Sequence, residues 1–339
     1  MTQMEGMAGA TGTIGATGTI GTCAAHGDGA ITLALNAAES RVQAAALRDG
    51  EPLFAQEWHV PSQGTELLAP ALADAFARMR LSLRDVRRIA CVQGPGSFTG
   101  LRLALSTAAG MARALGAEQA GLSYTQLLAC GPLLPRGAVL WVLTHARRGL
   151  VHMQSFRMPG ETADATSLAD VAGAATAVPS PLPEALTPVE AATLNAAVAR
   201  IVAARFGNVN PAAGTPAAGC AAAAAPVYLM GSGATRNRAA LAPALAALLP
   251  GARFLPARFD HPAPALLLPL AATAAYGPDD VQPLYVRPCD AEENLPALAA
   301  ARGMDPDQAR RELARLTSAP LAGAPLAGAP LAGAPLADA

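Results

Sequence analysis

The sequence predicts an α/β protein of two domains with mixed sheets, and three observations carry that prediction. At 339 residues the chain is long enough for two domains and a substantial core. Its first third reads as three strands, a helix, a strand and a second helix. The last strand of that run, Arg88–Val92, is short and apolar and turns through glycines into the helix.

Taken in order, Ala30–Asn36, Arg41–Leu47 and Pro52–His59 read as strands joined by turns at Ala37–Ser40 and Asp49-Gly50. The Asp-Gly pair is a strong hairpin signal. Ser62 caps a helix running to about Met79, with Leu68, Leu72, Phe76 and Met79 on one face. Pro70 bends its early part, because it has no N–H to donate to the carbonyl of Glu66. Leu81–Val86 leads to the apolar strand, and Ala117–Gly121 is a further candidate strand.

The stretch between strand and helix is Gln93-Gly94-Pro95-Gly96-Ser97-Phe98-Thr99-Gly100-Leu101-Arg102. Glycine reaches positive φ without steric cost, so Gly94, Gly96 and Gly100 mark a sharp turn. Ser97 or Thr99 supplies a helix cap. Strand, glycine turn and helix together present backbone N–H groups to an anion, so Gly94, Gly96, Ser97, Thr99 and Gly100 are candidate anion contacts. The helix runs to about Leu115 and has only Arg102 and Arg113 as charges. Leu101, Leu105, Ala108, Ala112 and Leu115 form one stripe, and Gly100, Ala104, Thr107, Met111 and Ala114 a second. Leu103, Ser106 and Gly110 add small or apolar residues on a third side. An ordinary surface helix keeps a broad polar face. This one is expected to be covered on two sides, by its own sheet and by a partner helix pair in a four-helix arrangement. The expected interface residues are Leu68, Leu72, Phe76, Leu101, Ala104, Thr107, Ala108, Gly110 and Met111.

The nine residues Gly94–Arg102, followed by a small-residue helix, resemble the TsaB (YeaZ) family, bacterial proteins needed to make threonylcarbamoyladenosine in tRNA. The element order matches one half of the actin-like, ribonuclease-H-like (ASKHA) fold to which that family belongs. The resemblance implies an Asp at the end of the first strand, in a Leu-Asp-Thr-Ser pattern that binds phosphate and metal. This chain has Leu35-Asn36-Ala37-Ala38 there, and an amide is a poor ligand for a hard cation. The family's His-Ser-Glu-x-Leu-x-Pro segment becomes Gly64-Thr65-Glu66-Leu67-Leu68-Ala69-Pro70. Its Asp-Ala-Arg-Arg-Gly-Glu-Val-Tyr hairpin becomes His145-Ala146-Arg147-Arg148-Gly149-Leu150-Val151-His152. That tip reads either as a solvated charged turn or as a surface of the second domain.

Further along, Tyr124–Gly131 reads as a helix, and Ala138–Leu143 and Leu150–Phe156 as a hairpin. Val189–Arg205 reads as a helix inside a stretch poor in charge. Val227–Met230 is a strand entering a second glycine turn, Gly231-Ser232-Gly233-Ala234, and a helix through Leu249. In actin-like folds a turn at this place approaches a nucleotide's adenosine, so Asn36, Gly231 and Gly233 form a weak nucleotide-site remnant. Arg253–Leu255 is a strand, Pro264–Tyr276 an apolar helix, and Pro283–Arg287 resembles the family's Pro-x-Tyr-x-Arg. The domain plan is a low-complexity tail (1–28), an N-terminal actin-like domain (29–122), and a C-terminal one (123–300) with an insertion around 157–225. A terminal helix (301–318) and a tail of Ala-Pro-Leu-Ala repeats (319–339) follow. Both tails are too rich in Gly or Pro to build a core.

Composition narrows the function classes. Net charge is −1, charged residues are 14% and every basic residue is Arg, so no basic stripe for direct nucleic-acid binding is evident. No run of about 18 strongly apolar residues suggests a membrane span, and residues 1–27 lack the basic start and leucine-rich core of a signal peptide. Cys23, Cys91, Cys130, Cys220 and Cys289 are scattered, as buried thiols of a cytoplasmic protein would be. His26, His59, His145, His152 and His261 contain no i, i+4 pair, so no metal site is expected. The glycine loop is one residue too long for a dinucleotide fingerprint, and no Gly-Lys-Ser/Thr completes a P-loop.

The resemblance therefore implies a non-catalytic subunit that supports threonylcarbamoyl transfer by TsaD together with the ATPase TsaE. A self-dimer and contact with tRNA only through the complex are also implied. No tightly bound cofactor is expected, only weak ATP or ADP binding at the complex interface. The competing reading is a nucleotide-binding actin-like enzyme, either a kinase or a glycoprotease-like peptidase. Asn36 and the missing histidine pair weigh against it.

Overall fold

Strand β1 (Ile31–Asn36) is buried along its whole length and forms the centre of the first sheet. The computed structural model describes residues 29–59, 64–159, 182–206, 226–286 and 290–318. Strands β2 (Arg41–Arg48) and β3 (Glu51–His59) follow β1 as antiparallel hairpins. Asp49 and Gly50, between β2 and β3, both have positive φ (52° and 86°), the geometry a two-residue hairpin turn needs. Helix α1 (Gly64–Arg78) then leads through a 3-10 turn to β4 (Val86–Gly94), which lies parallel to β1. Ser62, expected as the cap of α1, lies outside the described residues, and Met79 is exposed rather than on the buried face. Helix α2 (Phe98–Leu115) ends on Gly116 in the left-handed conformation, and β5 (Glu118–Ser123) pairs with β4. The sheet order is β3-β2-β1-β4-β5.

A short helix α3 (Tyr124–Ala129), capped by Ser123, connects to the second sheet. That sheet is built on the hairpin β6 (Val139–Arg147) and β7 (Leu150–Arg157). Two further strands, β8 (Glu184–Ala185) and β9 (Glu190–Thr193), both pair with β7. Helix α4 (Leu194–Phe206) follows, so the expected helix from Val189 begins five residues later, after a strand. The exposed edge of β7 captured Glu190–Thr193, and such tertiary pairing overrides weak local propensity. Residues 182–206, read from sequence as part of an insertion, are thus integral to the sheet. Residues 160–181 and 207–225 lie outside the described residues.

The sheet continues with β10 (Val227–Met230), parallel to β6, and β11 (Arg253–Phe254). Between them lie α5 (Ser232–Arg236) and α6 (Arg238–Leu248). Beyond β11, the expected helix over Pro264–Tyr276 is shorter, a 3-10 turn followed by α7 (Leu267–Thr273). Strand β6 shows how the core divides. Leu140 and Val142 join a core shared with the first sheet, while Trp141 and Leu143 face a second core with Ile201, Leu241 and Leu245. This two-residue period on an apolar strand is the mark of a sheet covered on both faces.

The chain divides after Val286 into two compact units. The second contains α8 (Asp290–Ala301), which sequence reading missed, and α9 (Pro306–Ser318), with Ala299 and Ala309 buried. The first unit is a mixed α/β fold with two mixed sheets. Among the described residues no helix is long and apolar enough to cross a membrane.

Candidate functional site

The glycine loop sits directly on the turn between β1 and β2. A Cβ on Gly96 would lie 2.2 Å from the carbonyl oxygen of Ala38, and one on Gly100 would lie 2.0 Å from that of Ala37. The Ser97 N–H donates to Ala38 O (2.6 Å), and the Gly100 N–H donates to Ser97 Oγ (3.4 Å). Ser97, rather than Thr99, is the helix cap. Gly94, at φ 126°, approaches the backbone of Leu284. Gly94, Gly96, Ser97, Thr99 and Gly100, expected as an anion contact, all belong to this loop and the first turn of α2. Two loop amides are already occupied, and the loop's glycines admit the chain's own carbonyl oxygens, whose lone pairs disfavour an anion.

The second glycine turn behaves alike. Gly231 (φ 100°) and Gly233 would place a Cβ 2.5 and 2.6 Å from the carbonyl oxygens of Leu143 and Thr144. These glycines let α5 settle against the end of β6. Asn36, the third member of the expected nucleotide-site remnant, is also engaged internally. Its Nδ2 donates to Gln43 Oε1 (2.8 Å), and its Oδ1 accepts from the Ala38 N–H (3.0 Å). Gln43 in turn donates to Glu57 Oε2 (2.6 Å) and to the carbonyl of Pro262 (2.7 Å), and Arg41 pairs with Glu57.

Sequence reading missed Glu39, which joins the two sheets. It lies in the β1–β2 turn, and its Oε1 accepts from Ser232 Oγ (2.6 Å) at the start of α5. Its Oε2 lies 3.2 Å from His261 Nδ1. Ser232 Oγ also accepts the N–H of His145 (3.0 Å). Tyr124, fully buried, faces the same carboxylate, and burial together with Glu39 raises its phenol well above the ordinary value. Burial raises Asp260, which accepts from Thr235 Oγ1 (2.8 Å), and burial with Arg236 nearby lowers His145. No local signal identifies Glu39, because Ser232 is 193 residues away in sequence. The space between the β1–β2 turn and α5 is therefore held by a carboxylate of the chain itself.

The expected partner face is divided by the structure. Leu68, Leu72, Phe76, Leu101, Ala104 and Ala108 are buried in the chain's own core, which corrects their assignment to a partner surface. Thr107 and Met111 are half-buried and Gly110 is exposed, with nothing within 4 Å of where its Cβ would be. With Leu103 and Ser106 they make one stripe at helical spacing along α2. At its N-terminal end, Phe98 and Tyr285 stack with ring centroids 5.6 Å apart, and both are 46% exposed. The Arg102 guanidinium lies 3.9 Å from the Phe98 ring centre, and its Nε donates to Tyr285 Oη (3.0 Å). Tyr285 belongs to a strap that crosses from β5 to α2. Gln119 and Gly277 exchange backbone hydrogen bonds, Asp280 pairs with Arg113, and the Leu284 N–H donates to Gln93 O (2.7 Å).

Cys91 and Cys130 are free and buried; burial pushes both thiols up, Cys130 to about 12, so neither is a nucleophile. Among the described residues no group of three or more His, Cys, Asp or Glu could hold a metal ion.

Comparison with known proteins gives a consistent likeness. Residues 60–222 match the family described as TsaD, tRNA N6-adenosine threonylcarbamoyltransferase. Over 100 residues the chain is 33% identical to the tRNA threonylcarbamoyladenosine biosynthesis protein TsaB of Escherichia coli (strain K12). That alignment covers 29% of this chain and 42% of the relative, less than half its length. In fold, the chain is similar to YeaZ from Pseudomonas aeruginosa, with a TM-score of 0.50 and 17% identity over 76% of this chain and 99% of that one. A second Pseudomonas aeruginosa structure, described as similar to peptidase YEAZ, gives 0.51 and 19% over 76% and 100%. The fold is thus a mixed α/β one with two mixed sheets, as expected from sequence, and it is shared with these YeaZ structures. Motif, relative and fold agree in their likeness, and the chain is similar to the TsaB (YeaZ) proteins.

Proposed function

We propose that this protein is a non-catalytic subunit in the biosynthesis of threonylcarbamoyladenosine in tRNA, acting in the cytoplasm. It binds TsaD through the exposed face of α2, and TsaE joins that assembly; tRNA is met through the complex. The observation that carries the reading is the contrast between the two candidate sites. At the turn where the actin-like resemblance would put a nucleotide, Glu39 hydrogen-bonds Ser232 and faces His261, and Asn36 accepts from the Ala38 N–H. The exposed chemistry lies instead on α2 and the strap, where Phe98, Arg102 and Tyr285 form a surface with no reacting group. The matched family carries the name of a transferase, but the 339 residues contain no His-x-x-x-His pair for that family's metal chemistry.

Reconstitution tests this reading. Purified chain, TsaD and TsaE from the same organism are assayed for tRNA modification with each component omitted in turn. The chain alone is expected to make no product, and its omission to abolish product. Full modification without the chain overturns the subunit role, and product from the chain alone overturns the non-catalytic assignment.

A further inference from the structure

Building on the partner-subunit reading, we propose that Arg102 recognises a carboxylate on the partner. The partner seats an Asp or Glu side chain against the guanidinium and an apolar side chain in the groove beside it. The groove is lined by Phe98, Thr99, Leu103, Ser106, Pro283 and Tyr285. Arg102 is restrained from two sides, by the Phe98 face and by the Tyr285 hydroxyl. The hydroxyl takes only Nε. Among the described residues no hydrogen bond or ion pair of the chain takes the two terminal nitrogens. Those two nitrogens form the planar fork that meets a carboxylate with paired hydrogen bonds.

Charge around the residue supports the same partner chemistry. Helix α2 has no acidic residue from Phe98 to Leu115, and its other cation, Arg113, is neutralised by Asp280. Arg102 is thus the uncompensated charge of this face among the described residues. Holding the side chain in place beforehand lowers the ordering cost on association. Tyr285 is a positioning residue in this arrangement, and the strap carrying it is fixed to the first sheet through Gln93 and Gln119.

The test is the affinity of full-length chain for TsaD of the same organism, by calorimetry at low and high salt. Wild type is compared with Arg102→Gln, Arg102→Glu, Arg102→Lys and Tyr285→Phe. Arg102→Gln is expected to weaken binding about tenfold and flatten its salt dependence, and Arg102→Glu to weaken it further. Arg102→Lys restores the salt dependence but only part of the affinity. Tyr285→Phe keeps the ring and the salt dependence and loses a few-fold. All variants should melt as wild type does, since these groups are exposed. Wild-type affinity in Arg102→Glu, or unchanged salt dependence in Arg102→Gln, overturns the inference alone. Absence of wild-type binding overturns the partner reading and this inference with it.

Discussion

Gly96 and Gly110 lie fourteen positions apart in one loop-helix unit, yet they answer to different constraints. Gly96 is required by a carbonyl oxygen 2.2 Å from where its Cβ would stand, whereas Gly110 meets nothing within 4 Å. Gly96→Ala should destabilise the protein by ~3 kcal/mol, because backbone must move to admit the methyl group. Gly110→Ala should stabilise it by about 0.5–1 kcal/mol by removing a glycine from a helix interior. Chemical denaturation of both variants checks the pair; equal effects would mean the loop does not sit on the β1–β2 turn. His145 gives a pH test. Burial, with Arg236, lowers its folded pKa, so its contribution to stability is present above the ordinary value of 6.5 and is lost as pH falls through the folded pKa. The stability difference between wild type and His145→Gln should therefore shrink below about pH 6.5. A difference independent of pH would show that the imidazole titrates alike in the folded and unfolded chain.

At the scale of elements, sequence pattern made most of the framework legible, because the strands of the first sheet alternate or run apolar and the Asp-Gly turn is local chemistry. Helix α2 was placed closely, from the glycine loop to about Leu115, where Gly116 ends it in the structure. What pattern could not show was the side on which each stripe of α2 lies. Ala104 and Ala108 face the chain's own sheet, and in an Ala-rich helix both faces look alike. Strand β9 was invisible for a related reason: Glu-Ala-Ala-Thr has no strand signal until β7 offers it an edge. Glu39 and Tyr285 act through partners 193 and 183 residues away, which no local window contains. The clasp between the β1–β2 turn and α5 can be measured by a double-mutant cycle of Glu39→Ala and Ser232→Ala. A coupling of about 1–2 kcal/mol is expected for a part-buried charge-assisted hydrogen bond. Additive effects would show that the two halves are not joined there.

For the whole molecule, the two sheets share one core, while Phe98, Arg102 and Tyr285 lie exposed together on α2 and its strap. On the partner-subunit reading, folding and association rest on different faces of α2, and two charge insertions on that helix test this. Ala104 is fully buried, so Ala104→Arg should abolish folding, since an unpaired buried charge costs several kcal/mol. Ser106 is exposed, so Ser106→Arg should fold normally and fail to associate. The most direct measurement is mass by light scattering of the chain mixed with TsaD, with circular dichroism beside it. A stable complex is expected with wild type, and separate components with a fully folded Ser106→Arg. A folded Ser106→Arg that joins TsaD as wild type does would contradict the claim that this face is the partner surface.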